Sequence, residues 1–308
     1  RLSAAPCYRA AMSNTESVGP DPVSTDGVGQ HTIARSYELT ARRIQAYAAS
    51  INDGNPLYLD DAREGGLVGH PGLAFSFQWN SRHTPDVPPN PHIAPFGVHA
   101  WTDLRMSRPF REGDIITSQG RTVGIEQIKP GVLTVGRYAM TDSAGETVAE
   151  LDYAGIIRGA TSEGPNQPAP SIPKLPQAPA EGDPLWTRDV YISPTAAQIY
   201  TECAEIYNPI HTERRAALAA GLPDIILHGS ATQAIALSQI VDGALGGDST
   251  RLRRFYCQNR AMVRLDTTIA VRCLADQTED GEQTVFFDVR TQDGAPALAN
   301  GILIVGTG

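Results

Sequence analysis

The chain has 308 residues, 41% hydrophobic and 19% charged, with a formal charge of −9, proportions that describe a folded soluble protein and exclude a chain too polar to build a core. No apolar run reaches the roughly 18 to 20 residues a membrane helix needs, and the acidic balance without Lys/Arg blocks argues against a nucleic-acid or anionic-membrane partner. The four cysteines, Cys7, Cys203, Cys257 and Cys273, lie far apart without zinc spacing, which fits reduced structural thiols inside a cell, in the cytoplasm or an organelle.

Residues 1–30 are rich in Ser, Gly, Ala and Pro and lack hydrophobic periodicity, so the sequence predicts a disordered N-terminal tail. Its opening, free of acids before Glu16, also suits a transit-peptide remnant. From residue 31 the signals become regular. "TIARSYEL" alternates as a strand, and Thr40 stands as N-cap of a helix over "ARRIQAYAAS" with Ile44, Tyr47 and Ala48 on one face. That helix runs into Asn55-Pro56, where proline stops it. A small-residue helix "GLAFSFQWNS" follows. Four strands come next, "VHAWTDLRM", "DIITSQGRTVGIEQI", "GVLTVGRYAMT" and "TVAELDYAGIIRG", with turns at Lys129-Pro130-Gly131 and Ser143-Ala144-Gly145.

Residues 159–184 carry repeated prolines and predict an extended linker. The domains are therefore 31–158 and 185–308. The second repeats the order of the first. "TRDVYIS" is the strand, and Thr195 caps "AAQIYTECAEI", with Ile199 and Cys203 in the core-facing role. After Asn208-Pro209 comes the helix "HGSATQAIALSQIVDGA", with Ala231, Ala234, Ile235, Ser238 and Val241 at spacings of three and four. "LRRFYCQNRAMV", "TTIAVRCLADQ", "QTVFFDVRT" and "PALANGILIVG" complete the set, with turns at Glu279-Asp280-Gly281 and Gln292-Asp293-Gly294, and with Asp266 matching Asp114. Helices followed by antiparallel strands, twice, make an α+β chain in which each of two sheets wraps a central helix.

The two turns, "INDGNPLYLD" (51–60) and "AEIYNPIHTE" (204–213), together with "GLPDIILHG" (221–229), resemble the MaoC-like hydratase/dehydratase family of the hot-dog fold, here as a double hot dog over roughly residues 32–306. The family pattern is Gly-Asp-x-Asn-Pro-aliphatic-His, with a His-Gly at the head of the central helix. The resemblance implies reversible hydration of a trans-2-enoyl thioester to a 3-hydroxyacyl thioester, carried on coenzyme A or acyl carrier protein, without a cofactor or metal. Carried over, the C-terminal half supplies Tyr200, Asn208, Pro209, Ile210, His211, His228 and Gly229, but Ile206 stands at the acidic position and Glu205 at the preceding glycine. The N-terminal half has Asp53 at the acidic position and Tyr58 in place of the histidine.

Water addition needs a base, a proton donor to C2 and donors for an enolate-like oxygen. His211 suits the first, because imidazole titrates near neutrality. The N–H of Gly229 suits the last, because a helix start presents unsatisfied donors. Three readings cover the missing acid. Glu202 lies one helical turn before Ile206; Asp53 reaches across from the other half; or His211 works alone or with a water held by Asn208 or Glu205, or the site is weak or dead. Arg251, Arg253 and Arg254 form a cationic cluster that suits coenzyme A phosphates or an acidic carrier protein, or else a solvated strand entrance. The expected site is single and C-terminal, with the N-terminal half shaping the acyl tunnel. A catalytically degenerate subunit that binds acyl thioesters or partners an active paralogue is the alternative, and a thioesterase is a third. A homodimer is the default assembly.

Overall fold

A computed structural model describes residues 19–82, 90, 92–178 and 182–306. In the N-terminal half, strand β1 (Arg35–Glu38) leads to helices α1 (Ala41–Ser50), α2 (Pro56–Leu59) and α3 (Leu73–Arg82), then to β2 (Gly97–Met106), β3 (Ile115–Ile128), β4 (Gly131–Thr141) and β5 (Thr147–Arg158). The C-terminal half repeats the order. Strand β6 (Trp186–Ile192) precedes α4 (Ala196–Ala204), a 3-10 turn (Pro209–His211), α5 (Arg214–Ala219) and α6 (Gly229–Leu245), and then come β7 (Leu252–Asn259), β8 (Thr267–Glu279), β9 (Glu282–Arg290) and β10 (Pro296–Val305). The hairpin turns fall where the sequence placed them. Between β8 and β9, Asp280 (φ +49°) and Gly281 (φ +81°) supply the left-handed pair that a two-residue hairpin demands.

The ten strands form one antiparallel sheet in the order β6-β8-β9-β10-β7-β2-β5-β4-β3-β1. The two expected sheets are its five-stranded halves, fused where β7 pairs with β2 from Arg254 opposite Arg105 to Gln258 opposite Trp101. Each half alone would leave an open edge there, and the pairing satisfies both rows of backbone groups. Helices α3 and α6 are the central helices. Ala231 through Ser238, Ile240 and Val241 of α6 are all buried, so its small residues serve close packing on every side. Among the described residues no helix is long and apolar enough to cross a membrane.

Several local expectations are corrected. The predicted tail ends early: residues 1–18 lie outside the described part, but Val23–Ser24 pairs in parallel with Ser162–Glu163, and the buried Thr25 donates its hydroxyl to Glu163 O at 3.1 Å. Val23 and Val28 pack on a separate apolar cluster of Ile125, Val132, Ile157 and Ala160, which holds this segment down. The linker is extended but is a strap, with Ile172 and Leu175 packed on Tyr256, Phe286, Ile302 and Ile304. In α4 the buried face is Ala197, Tyr200, Thr201 and Ala204, while Ile199 is 45% exposed and Cys203 half-buried. Small residues face inward because this face approaches the other half closely. Thr40 caps α1 by accepting Arg43 N–H at 3.3 Å, whereas the Thr195 hydroxyl makes no such bond and lies 3.5 Å from Ser193 Oγ. The match between Asp114 and Asp266 shifts by one residue. The left-handed residue whose N–H bonds the end of the first strand is Gly113 (φ +85°, to Leu39 O) in one half and Asp266 (φ +57°, to Ile192 O) in the other.

Candidate active site

Helices α1 and α4 end in the same left-handed cap, at Asn52 and Glu205, both with φ +56°. The next N–H turns back, Asp53 N–H to Ala48 O at 2.9 Å and Ile206 N–H to Thr201 O at 3.1 Å. The asparagines then fix the Asn-Pro turns: Asn55 Oδ1 accepts Leu57 N–H at 2.9 Å, and Asn208 Oδ1 accepts Ile210 N–H at 3.4 Å. Residues 53 and 206, and residues 58 and 211, therefore occupy equivalent places. Tyr47 and Tyr200 are another such pair, and their hydroxyls meet at 3.3 Å between the halves. Further ties cross the same junction. Arg43 pairs with Glu205, Ser76 Oγ donates to Ala204 O at 2.6 Å, and Asn55 Nδ2 donates to Gly247 O at 2.7 Å.

In the C-terminal half His211 is buried, and its Nδ1–H donates to Ile226 O at 2.8 Å. The other ring nitrogen, Nε2, thus carries the lone pair. The ring stacks on His228 with centroids 3.8 Å apart, and His228 Nε2 is 3.1 Å from Thr201 Oγ1. Burial lowers His211 to about 4, with the Ile226 hydrogen bond opposing. Burial and the neighbouring His211 hold His228 well below its ordinary value. Near neutrality both rings are uncharged, so His211 offers a base and not an imidazolium. Gly229 is the first residue of α6, and its N–H has no acceptor among the described residues. The space a Cβ would fill there lies 3.2 Å from Asn259 Oδ1.

The expected carboxylate partners are not beside His211. Glu202 is exposed, because the helix ends at Ala204 and the chain reverses at Glu205, so Glu202 and Ile206 do not share a face. Glu205 is engaged by Arg43 across the junction. Asp53 stays in its own half: Oδ1 accepts Asn55 N–H at 2.9 Å, and Oδ2 is 3.9 Å from His70 Nε2. The arginine cluster also divides. Arg254 is buried, paired with the buried Asp103 at 2.7 and 2.8 Å and donating to Pro173 O and Lys174 O. Arg253, next along the strand, is exposed, and Arg251 lies 3.6 Å from Asp248.

His70 went unread in the sequence. It stands before the head of α3 as His228 stands before α6, and the signal was "VGHPGLAF" against "ILHGSA". Its Nδ1 accepts Gly72 N–H at 3.0 Å, which places the ring proton on Nε2, 3.1 Å from Ser238 Oγ of α6. Burial lowers His70 to about 4, opposed by the Asp53 charge. Tyr58, fully buried where the other half has His211, sets its ring edge on His70 at 5.1 Å. Gly72 is required here, since a Cβ would fall 2.5 Å from Tyr47 Oη and 2.9 Å from His70 Nδ1. A cleft of about 760 Å³ opens beside this group, lined among others by Asp53, Asn55, Arg63, Ser238 and Asp248.

The repeated frame has counterparts in known proteins. A family model described as a MaoC like domain matches residues 177–294, and one described as a FAS1-like dehydratase domain region matches residues 26–151. The C-terminal half carries a MaoC-like domain, and the N-terminal half a FAS1-like dehydratase region. The chain is similar to the crystal structure of a MaoC-like dehydratase from Phytophthora capsici, with a TM-score of 0.76 and 21% identity over 92% of this chain and 97% of that one. A Mycobacterium tuberculosis protein described as a double hotdog fold superposes with a TM-score of 0.62 at 14% identity, covering 90% of this chain and 95% of that one. The double hot-dog architecture is thereby shown. In sequence, a fatty acid synthase β subunit of Emericella nidulans is 38% identical over 77 residues, 25% of this chain and 4% of that one. The chain spans only 4% to 6% of the fungal synthase subunits that it matches. The two domain matches, to a MaoC like domain and to a dehydratase domain region, are consistent with hydro-lyase chemistry on acyl thioesters.

Proposed function

We propose that the chain is a hydro-lyase that interconverts a trans-2-enoyl thioester, enoyl-CoA in the simplest case, and the corresponding 3-hydroxyacyl thioester, with His211 as the proton-transfer group. The observation that carries this reading is the fixed tautomer of His211: Ile226 O holds Nδ1–H, so Nε2 presents its lone pair beside the head of α6. In hydration, Nε2 takes a proton from water while the water oxygen bonds C3 and the π electrons move toward the thioester oxygen. The imidazolium then returns the proton to C2. Gly229 N–H supplies a donor for the enolate-like oxygen, the kind of contact that lowers such barriers most. A group that titrates near 4 is a weak base and a willing acid, so this site without a carboxylate turns over slowly in comparison with an Asp-His pair.

The test is loss of the enoyl-thioester absorbance with crotonyl-CoA. Wild type is expected to consume the substrate, and His211→Ala to lower the rate by roughly 10²- to 10⁴-fold, the range of general acid-base effects. Equal rates for the two proteins would overturn the role of His211. A non-catalytic acyl-thioester subunit is the second reading, favoured by the apolar, buried Ile206 at the carboxylate position. Acyl-CoA binding by calorimetry with no turnover would select it.

A further inference from the structure

The cleft beside Asp53 has no part in the C-terminal reaction described above, yet its chemistry is specific. Three carboxylates line it: Asp53, Asp242 and Asp248. Asp242 pairs with Arg188, and Asp248 lies 3.6 Å from Arg251. Asp53 has no arginine or lysine partner among the described residues. Its side chain is 10% exposed, Oδ1 is occupied by Asn55 N–H, and Oδ2 lies 3.9 Å from His70 Nε2. His70 does not reach the cleft. It stands behind the carboxylate with its proton on the Nε2 side, fixed by Gly72 N–H on one edge and Ser238 on the other.

We propose that the N-terminal half holds a second acid-base site, in which Asp53 is the catalytic carboxylate, His70 and Ser238 position it, and the cleft takes an acyl thioester at its C2–C3 bond. The proposal rests on the reading of the chain as a thioester hydro-lyase. The half that lost its turn histidine to Tyr58 has kept a histidine at the head of its central helix, and the half that kept the turn histidine has lost the acid. In hydration, Asp53 Oδ2 takes a proton from water as the water oxygen bonds C3, and the C2=C3 π pair shifts toward the thioester carbonyl. The same carboxyl then delivers its proton to C2. One O–H bond of water and one π bond break, and one C–O and one C–H bond form, so no outside reactant is needed. A carboxyl that serves both steps adds the two groups to one face, as its fixed position in the cleft wall requires.

The experiment measures crotonyl-CoA hydration by wild type, His211→Ala, Asp53→Asn and the double variant. Asparagine keeps an oxygen for Asn55 N–H, so Asp53→Asn preserves the turn and removes only the ionisable group. The expected result is a residual rate in His211→Ala above the uncatalysed background, reduced at least tenfold by adding Asp53→Asn. Within the His211→Ala background, His70→Gln, which retains a donor toward Oδ2, is expected to keep more of that residual rate than His70→Leu at equal melting temperature. If either His70 variant fails to fold, Ser238→Ala replaces the pair, with loss of residual rate expected. A residual rate indifferent to Asp53→Asn, or no residual rate at all, overturns the second site while leaving the His211 reading intact. Asp53→Asn abolishing turnover that His211→Ala leaves untouched supports the second site and overturns the role of His211. Inactive wild type overturns both.

Discussion

At the scale of single residues, the decisive fact is that the acid and the turn histidine of one reaction plan stand in different halves. Ile206 is buried at the place equivalent to Asp53, and no carboxylate among the described residues faces His211. Ile206→Asp is therefore expected to raise kcat/KM at least tenfold and to move the acidic limb of its pH profile upward from about 4, because a nearby anion favours the imidazolium. In the unmodified protein, activity due to His211 falls only as pH drops toward about 4 and stays level near neutrality, since the base works when unprotonated. A wild-type limb near 6.5, the ordinary value for histidine, would contradict the burial argument. The turns were legible in the sequence because Asn-Pro imposes its geometry locally. The misplacement of Glu202 was not, because Glu205 reads as one more helical residue until its left-handed conformation is seen. His70 escaped because Pro71 separates it from Gly72 and spoils the simple His-Gly match.

At the scale of elements, glycine punctuation and alternation placed most strands to within two residues, since hairpin chemistry is local, although β7 stops at Asn259 rather than at Val263 and β1 starts at Arg35 rather than at Thr32. Helix α6 was harder to read. A one-sided apolar face was expected, but the helix is buried almost all round and its sides are set by neighbours distant in the chain. Gly243 shows the closeness: a Cβ there would lie 2.7 Å from the Trp186 ring on β6. Gly243→Val is expected to destabilise the protein by about 1 to 3 kcal/mol through overpacking, read from denaturant midpoints. An unchanged midpoint would mean that β6 yields. The Ile199 error has the same origin, because hydrophobicity alone does not say which face of α4 meets α1.

At the scale of the whole molecule, the fusion of two half-sheets at β2 and β7 joins residues about 150 positions apart in sequence (Asp103 to Arg254, a separation of 151), and no local pattern announces it. Beside that seam the Asp103–Arg254 pair is buried and the linker carbonyls complete its hydrogen bonds. Asp103→Ala is expected to cost roughly 3 to 5 kcal/mol, the usual penalty for leaving one buried charge without its partner; a loss below 1 kcal/mol would show that Arg254 escapes to water. Acid should also weaken the fold. His70, His211 and His228 are held below their ordinary values by burial, so below about 6.5 the unfolded chain binds protons that the folded chain refuses, down to about 4 for His70 and His211. Stability is then full above pH 6.5 and falls on acidification, by up to roughly 1.4 kcal/mol per pH unit for each histidine. Denaturant titrations at pH 7 and 5 read that slope, and equal midpoints would contradict it.

Whether this double hot dog moves water on and off an acyl thioester is read by incubating it with crotonyl-CoA and following the products by mass spectrometry and a thiol assay. The expected product is heavier by one water, with the thioester intact and no free thiol released. Release of free coenzyme A would make the chain a thioesterase, and an unchanged substrate would remove the hydro-lyase reading altogether.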